Sequence, residues 1–132
     1  MLDNMSSLAK PLVLVVEDEA PLLTMLRYNL EKQGFRVEEA ADGQEALLRI
    51  AEARPDLVLL DWMLPALSGL EVCRQIRRRP ATRDLPIFAL TGDVTVVNQR
   101  RIGEAGVDGY LEKPVSWDAL KHALEGLNQP PR

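Results

Sequence analysis

Polar side chains capable of chemistry follow directly after four short apolar runs of this chain. They comprise several carboxylates, one hydroxyl and one ammonium group. If the runs are parallel strands, their carboxyl ends meet at one edge of a sheet, which is where such sheets bind ligands. The side chains are Glu17, Asp18 and Glu19 after the first strand, Asp61 after the third, Thr91 after the fourth and Lys113 after the fifth.

The carboxylates among them predict a binding site for a divalent cation. Crowded carboxylates repel one another and resist ionising together. Mg²⁺ relieves this repulsion because it prefers oxygen ligands, takes few protein carboxylates and keeps several waters. Glu17, Asp18 and Asp61 can supply three ligands, and the backbone carbonyl of Met63 a fourth. The alternative is an acidic cluster at a helix N-terminus, but Asp61 and Lys113 at matching strand ends favour the metal.

Five apolar runs alternate with five helical patterns, which is typical of an α/β fold. The runs LVLVV and LVLL are apolar throughout, as expected of strands that are buried on both faces. We therefore expect a parallel sheet with helices on both faces. The predicted strands are 12–16, 36–40, 57–60, 87–90 and 109–112, and the predicted helices are about 21–33, 43–53, 69–79, 95–105 and 116–127.

Local signals support these boundaries. Asp42 and Glu45 have the spacing of a capping box at the second helix, and Gly34 suits a left-handed stop after the first. The fourth helix is the exception, because residues 94–97 include a β-branched run with poor helix propensity. We expect this helix to be loosely formed or to start late.

Length and composition predict one globular domain. The chain has 132 residues, of which 46% are hydrophobic and 27% charged, enough for a core of ordinary size. We expect a domain over residues 10–127 between tails at 1–9 and 128–132. No apolar stretch has the length of a membrane span, and no export signal is recognised. The single cysteine, Cys73, suits a reducing compartment, so we predict a cytoplasmic location.

The net charge of −4 is unevenly distributed. Residues 1–64 carry 12 acidic and 6 basic side chains, whereas residues 65–132 carry 8 and 10, so the halves have charges of −6 and +2. This balance argues against direct nucleic-acid binding by the domain. The basic run at 77–79 suits a helix C-terminus that faces water.

Four motifs resemble the receiver domain of two-component response regulators. They are VVEDE, LLDWMLP, LTG and YLEKP, each at the end of a predicted strand, and the resemblance covers about residues 11–127. It implies the doubly wound, flavodoxin-like fold of CheY-like proteins, with five parallel strands in the order 2-1-3-4-5 and five helices. It also implies a partner that donates a phosphoryl group, either a sensor histidine kinase or a histidine phosphotransfer protein.

The resemblance implies a role for each matching position. Asp61 would be the phosphoacceptor that attacks a phosphohistidine and forms an acyl phosphate, while Glu17 and Asp18 would hold Mg²⁺. Lys113 would pair with Asp61 and then with the phosphoryl oxygens, to which Thr91 would donate its hydroxyl. The chemistry consists of positioning and charge neutralisation. We expect self-catalysed phosphotransfer and autodephosphorylation rather than an enzyme with a separate substrate.

Further positions concern the switch and the lifetime of the phosphoryl group. The resemblance implies that Tyr110 turns inward as Thr91 moves; the alternative for this tyrosine is half-buried packing. Gly92 leaves the site open, Met63 puts an apolar side chain near the path of attacking water, and Asp93 can orient or repel that water. We hypothesise a moderately long lifetime, limited by Met63.

The two halves of the chain differ in how they match. The first half resembles OmpR/PhoB-type receivers, whereas the second departs from them, with Val115 where that subfamily usually has Phe. We therefore expect a downstream protein partner at the face of helix 4, strand 5 and helix 5, where Val94, Val96 and Val97 offer an apolar surface. The alternative is the receiver part of a DNA-binding transcription factor.

Two other families place similar groups after a strand. A haloacid-dehalogenase-like phosphohydrolase uses an aspartyl nucleophile but requires a second acid two residues later, where this chain has Met63. A flavodoxin-like FMN carrier requires a hydroxyl- and Gly-rich loop after the first strand, where this chain has three acidic residues. Both families are weaker matches than the receiver.

Overall fold

The computed structural model describes residues 10–64 and 66–128, which form five strands alternating with five helices. Of the predicted tails at 1–9 and 128–132, residues 1–9 and 129–132 lie outside the described residues. The strands are β1 (Leu12–Val16), β2 (Arg36–Ala40), β3 (Leu57–Asp61), β4 (Ile87–Thr91) and β5 (Gly109–Glu112). The helices are α1 (Ala20–Lys32), α2 (Gly43–Glu52), α3 (Gly69–Arg78), α4 (Val96–Glu104) and α5 (Trp117–Asn128). Helix α5 thus continues through Asn128, a residue that the sequence assigned to the tail.

The five strands form one parallel sheet in the order β2-β1-β3-β4-β5. The predicted topology is confirmed. Strands β1 and β3 lie in the middle and are buried throughout, because helices cover both faces of the sheet. The chain reverses direction across the sheet between β1 and β3, and this is the place where the ends of β1 and β3 open a crevice.

Each face of the sheet packs against its own set of helices. Helices α1 and α5 cover one face with Leu26, Leu30, Leu120 and Leu124. Helices α2, α3 and α4 cover the other. Each fully buried leucine or isoleucine contributes roughly 1.5–3 kcal/mol by leaving water, so the sheet is held firmly from both sides. None of the described helices has the length and apolar character required to cross a bilayer.

The predicted helix ends are confirmed at α1 and α2. Gly34 follows α1 with φ of 92°, a left-handed conformation that suits glycine. At α2, the Glu45 N–H donates to Asp42 Oδ1 at 2.8 Å. The Glu45 side chain reaches back to the Ala41 N–H at 2.6 Å, one residue before the expected partner. The N–H groups of Ala41 and Glu45 therefore both have a side-chain acceptor.

Helix α4 starts late, as its β-branched residues predicted. Its first residue is Val96, and Thr95 precedes it as the N-cap. The Thr95 hydroxyl accepts a hydrogen bond from the Asn98 N–H at 3.3 Å. From Val96 to Glu104 the helix is regular, and buried Ile102 anchors it to the core. Packing thus outweighs poor intrinsic propensity.

Arg77 does not face water as the sequence suggested. Its guanidinium donates to the carbonyl oxygens of Gly106 at 2.9 Å, Arg83 at 3.1 Å and Leu85 at 2.6 Å. It also pairs with Asp108 at 3.1 Å. These contacts tie the end of α3 to the segments that lead into β4 and β5.

Candidate functional site

The sheet brings the predicted site residues to one edge. Asp61 is the last residue of β3, Thr91 is the last residue of β4, Glu17 directly follows β1, and Lys113 directly follows β5. Because β1, β3, β4 and β5 are consecutive neighbours, these side chains meet above the carboxyl ends of the strands.

Lys113 lies at the centre of the acidic residues. Its Nζ is 3.1 Å from Glu17 Oε1, 3.2 Å from Asp61 Oδ1 and 3.3 Å from Glu19 Oε1. The sequence predicted the approach to Asp61. It gave no sign that Glu19, at the start of α1, would share the same ammonium. The lysine therefore joins the ends of β1 and β3 as well as neutralising the acceptor aspartate.

Burial shapes the charges of this site. Glu17 is fully buried and Asp61 is only 3% exposed, whereas Asp18 is exposed. Burial raises the pKa of the Glu17 carboxyl above its usual value, although the Glu19 N–H and Lys113 oppose this. Burial also disfavours the Lys113 ammonium, but the Glu17 and Asp61 carboxylates outweigh it, so the pKa of Lys113 is raised. Lys113 therefore stays charged at neutral pH.

The donor set fits a hard divalent cation. Glu17, Asp18 and Asp61 each offer a carboxylate oxygen, and these oxygens lie within 4.8 Å of one another. Among the described residues, no donor reaches the buried Glu17 Oε1 with hydrogen-bond geometry, although the Lys113 ammonium is only 3.1 Å away. With all groups ionised, three carboxylates and one ammonium leave a charge of −2. An oxygen-seeking cation would coordinate this Glu17 oxygen and balance the charge.

The backbone around Asp61 is packed tightly. The Met63 N–H donates to Asp61 Oδ1 at 3.1 Å, and the Trp62 N–H donates to the Leu90 carbonyl at 2.9 Å. Gly69, at the start of α3, lies so close that a Cβ would be 2.9 Å from the Asp61 carbonyl oxygen and from Trp62 Cα. Only glycine fits this contact without a shift. Gly69 could not be identified from the sequence, because close approach between distant segments leaves no local signal.

Thr91 is held by the loop that follows it. The Asp93 N–H donates to Thr91 Oγ1 at 3.0 Å, and the hydroxyl is 3.3 Å from the Asp93 carbonyl oxygen. The Asp93 carboxylate accepts from the Thr95 N–H at 3.0 Å, and this hydrogen bond lowers the pKa of Asp93. The Asn98 side chain also reaches Thr91 Oγ1, at 3.4 Å. No local pattern in the sequence marks Asn98 for this contact.

The remaining predicted positions surround the site. Met63 is 80% exposed. A side chain at Gly92 would meet nothing within 4 Å, so this flank is open. Tyr110 on β5 is 39% exposed, which places it between buried packing and the solvent. The Lys113–Pro114 peptide bond is cis.

The fold and site together define a CheY-like receiver class of doubly wound α/β domain. Residues 13–125 match the response regulator receiver domain family, and the chain belongs to this family. The receiver domain accepts phosphoryl groups in two-component signalling, as its four motifs predicted. The phosphohydrolase and FMN-carrier alternatives are set aside by this match.

Several curated relatives of this chain are named as transcriptional regulatory proteins. The chain is 48% identical over 117 residues to the phosphate regulon transcriptional regulatory protein PhoB of Rhizobium meliloti, a match that covers 89% of this chain and 52% of that protein. It is 43% identical over 104 residues to PhoB of Escherichia coli, covering 79% and 45%. The chain thus spans about half the length of the curated relatives it matches.

Solved structures show the same fold. The chemotaxis protein CheY4 of Vibrio cholerae superposes with a TM-score of 0.85 at 30% identity, covering 90% of this chain and 99% of that one. The receiver domain of a sensor histidine kinase from Pseudomonas aeruginosa superposes with a TM-score of 0.83 at 33% identity, covering 90% and 98%. That second structure has a magnesium ion coordinated in its active-site cleft.

Proposed function

We propose that Asp61 of this receiver domain, which we assign to residues 10–127, accepts a phosphoryl group from the phosphohistidine of a sensor histidine kinase or a histidine phosphotransfer protein. One observation carries the assignment. The Asp61 carboxylate is nearly buried at the end of a central strand, with an ammonium 3.2 Å away and two further carboxylates within reach of a shared cation. A structural aspartate would not need this combination of neighbours.

The transfer is a displacement at phosphorus. An Asp61 oxygen attacks, the P–N bond to the histidine breaks, and its electron pair stays on the imidazole nitrogen, which takes up a proton. Among the described residues, the contacts of the Asp61 carboxylate fall on Oδ1, so Oδ2 is the oxygen left to attack. The Met63 N–H and Lys113 fix the carboxylate plane, which is positioning in advance of the reaction.

Glu17, Asp18 and Asp61, with the backbone carbonyl of Met63, would hold Mg²⁺. When bound, the ion neutralises charge on the phosphoryl oxygens and lets an anionic donor approach a site rich in carboxylates. The buried Glu17 oxygen, which no described donor meets with hydrogen-bond geometry, supports this assignment, as does the magnesium in the related Pseudomonas receiver. Glu17 acts by orienting one ligand oxygen from a fully buried position.

Lys113 and Thr91 act on the phosphoryl group after it arrives. Lys113 moves its contact from Asp61 to a phosphoryl oxygen, and its raised pKa keeps it charged for this purpose. Thr91 donates its hydroxyl to another phosphoryl oxygen, which requires it to leave the Asp93 loop. Tyr110, half-exposed on the adjacent strand, follows this movement as the switch aromatic.

The lifetime of the phosphoryl group depends on three neighbours. Gly92 leaves one flank open to water, and Met63, two residues after Asp61, presents an exposed apolar side chain. The Asp93 carboxylate already accepts a hydrogen bond from the Thr95 N–H. We therefore favour a role in which Asp93 repels attacking water over one in which it orients that water. Substitution Met63→Asn offers water a hydrogen-bond partner and should speed dephosphorylation; an unchanged rate would exclude a role for Met63.

The output passes to a protein partner through α4, β5 and α5, and the domain acts in the cytoplasm without its own enzymatic substrate. Val96 and Val97 on α4 are 72% and 63% exposed, and Tyr110 on β5 is 39% exposed. Charge reversal of Arg100 and Arg101 on α4 should weaken partner binding or change the oligomeric state. A second candidate, the receiver half of a DNA-binding regulator, is favoured by the identity to PhoB proteins of twice the length.

Acetyl phosphate tests the proposal directly. Incubation with acetyl phosphate and Mg²⁺ should add the mass of one phosphoryl group in intact-mass measurements, and EDTA should prevent it. Asp61→Asn should abolish the gain, whereas Asp93→Asn, a matched change of a nearby exposed carboxylate, should retain it. A phosphoryl gain that survives in Asp61→Asn would refute the assignment, as would no gain in the unchanged chain with Mg²⁺ bound.

A further inference from the structure

Two amide side chains of α4 grip the loop between β4 and α4. Asn98 Nδ2 donates to the Asp93 carbonyl oxygen and lies 3.4 Å from Thr91 Oγ1. Gln99 Nε2 donates to the Val94 carbonyl oxygen at 2.7 Å. We call this pair the amide clasp. The clasp joins the first turn of α4 to the segment that starts at the end of β4.

The amide clasp lies beside the Thr91 hydroxyl, which already has hydrogen-bond partners. Thr91 Oγ1 accepts from the Asp93 N–H at 3.0 Å and faces the Asp93 carbonyl oxygen at 3.3 Å. A hydroxyl has one proton to donate, so a bond to the Asp93 carbonyl precludes a bond to a phosphoryl oxygen. Thr91 is only 3% exposed, and water does not readily replace these partners. The hydroxyl can turn toward Asp61 only when the loop rearranges.

We propose that Asn98 is a positioning residue that holds Thr91 in its unphosphorylated arrangement and couples release of the hydroxyl to movement of α4. This inference rests on the proposed function of Asp61. Asn98 contacts both the Thr91 hydroxyl and the carbonyl with which that hydroxyl bonds, so it stabilises one arrangement of the pair. When Thr91 turns to the phosphoryl group, the Asp93 carbonyl moves and the Asn98 bond breaks.

The clasp also explains how the signal leaves the site. Val96 and Val97 lie in the same turn of α4 as Asn98, between the Thr95 cap and the clasp, and both are exposed. Backbone hydrogen bonds make this turn a stiff unit. After the Asn98 bond breaks, the Gln99 hydrogen bond to the Val94 carbonyl still joins this turn to the loop. A shift of the loop therefore displaces the exposed valines. The helix need not touch the phosphoryl group to respond to it.

Binding of beryllium trifluoride with Mg²⁺ tests the role of Asn98. This anion mimics a phosphoryl group on a carboxylate. Its apparent affinity falls when only a minority of molecules have the Thr91 hydroxyl released for binding. Asn98→Ala should raise the apparent affinity about fivefold, the factor that corresponds to one ordinary net hydrogen bond. The matched control is Asn29→Ala, which removes a side-chain amide bonded to the Met25 carbonyl at 2.9 Å on α1 and should change nothing. Binding is followed by tryptophan fluorescence, since Trp62 adjoins Asp61.

A Thr91→Val background separates positioning from general loosening. If Asn98 acts through the Thr91 hydroxyl, then Asn98→Ala should have no effect once that hydroxyl is gone. A fivefold effect that persists there would overturn the inference, as would no effect in the unchanged background. If Thr91→Val binds the anion too weakly, the same cycle is read from phosphoryl occupancy with acetyl phosphate.

Amide hydrogen exchange without any phosphoryl donor gives an independent readout. Asn98→Ala should speed exchange of the Asp93 and Thr95 amides about fivefold, and Asn29→Ala should leave them unchanged. Normal phosphorylation of the unchanged chain, together with an Asn98→Ala variant that behaves like it in every assay, would overturn this inference alone. Failure of the unchanged chain to take up a phosphoryl group would overturn the proposed function and, with it, this inference.

Discussion

Replacing Lys113 by methionine should destabilise the protein strongly when no metal is present. Methionine keeps most of the aliphatic stem and removes the charge, leaving the buried Glu17 and Asp61 carboxylates without their ammonium. Each contact of 3.1–3.2 Å corresponds to about 5 kcal/mol at an effective dielectric constant of 20, and desolvation offsets much of it. Breaking one partner of a buried pair costs about 3–5 kcal/mol. Because the Lys113 side chain is 20% exposed, we expect about 2–3 kcal/mol.

Urea unfolding in EDTA and in excess Mg²⁺ measures this effect. In EDTA the free energy of unfolding should fall by about 2–3 kcal/mol, with a Tm lower by about 6–9 °C for a domain of this size. Added Mg²⁺ should stabilise both proteins, by about 2.7 kcal/mol at a hundredfold excess over Kd. It should stabilise Lys113→Met more, because the site then carries three uncompensated carboxylates. The difference in free energy of unfolding between the unchanged protein and Lys113→Met should therefore be smaller in Mg²⁺ than in EDTA.

The control for this prediction is Lys121→Met, an exposed lysine on α5 whose replacement should change stability by less than about 0.5 kcal/mol. If Lys113→Met were as stable as the unchanged protein in EDTA, the ammonium would not be neutralising the buried carboxylates. A gap that Mg²⁺ leaves unchanged would show that the cation and the ammonium do not share these partners.

Three further changes test other parts of the structure. Gly69→Ala should lower the free energy of unfolding in urea by about 1–3 kcal/mol and slow labelling by acetyl phosphate, because its Cβ would press on the main chain of Asp61 and Trp62. The control Gly126→Ala, whose Cβ meets open space, should instead raise that free energy by about 0.5–1 kcal/mol. Equal effects of the two changes would contradict the packing argument. Buried Cys73 should react with iodoacetamide only when the protein unfolds. Since burial raises the pKa of its thiol, the free energy of unfolding should decline as the pH rises above about 8.5, the pKa of a cysteine in the unfolded chain. Rapid alkylation of the folded protein would argue against both expectations. Arg77→Met should lower the free energy of unfolding by about 2–3 kcal/mol, because three carbonyl oxygens and Asp108 lose their donor. The control Arg78→Met changes an exposed arginine and should lower it by less than about 0.5 kcal/mol. Similar unfolding curves for the two variants would show that the Arg77 contacts contribute little.

The strands and the positions of the main site residues could be predicted because both depend on short-range pattern. Runs such as LVLVV are apolar throughout only when both faces are covered, and this determines a parallel sheet. The topology then places Glu17, Asp61 and Lys113 at one edge without any knowledge of side-chain contacts. The same pattern reasoning anticipated the late start of α4, since its β-branched residues lie at the helix entrance.

Other features depend on which distant segments meet, and the sequence does not encode these locally. Arg77 looked like a solvent-facing end of a helix, but three carbonyls from the segments before β4 and β5 converge on it. Glu19 looked like an ordinary acid in the first turn of α1, yet it shares Lys113 from 94 residues away. Gly69 has no distinguishing neighbours in the sequence, and only the approach of α3 to the end of β3 requires it.

That long separation between Glu19 and Lys113 has a consequence for protein synthesis. The first carboxylates of the site leave the ribosome early, whereas the lysine that pairs with them follows the last strand. A nascent chain that has not yet docked β5 onto β4 exposes the acceptor aspartate without its ammonium and without a complete sheet edge. Competence to receive a phosphoryl group therefore requires β5 to be docked, so the chemistry itself distinguishes a folded receiver domain from an incompletely folded one.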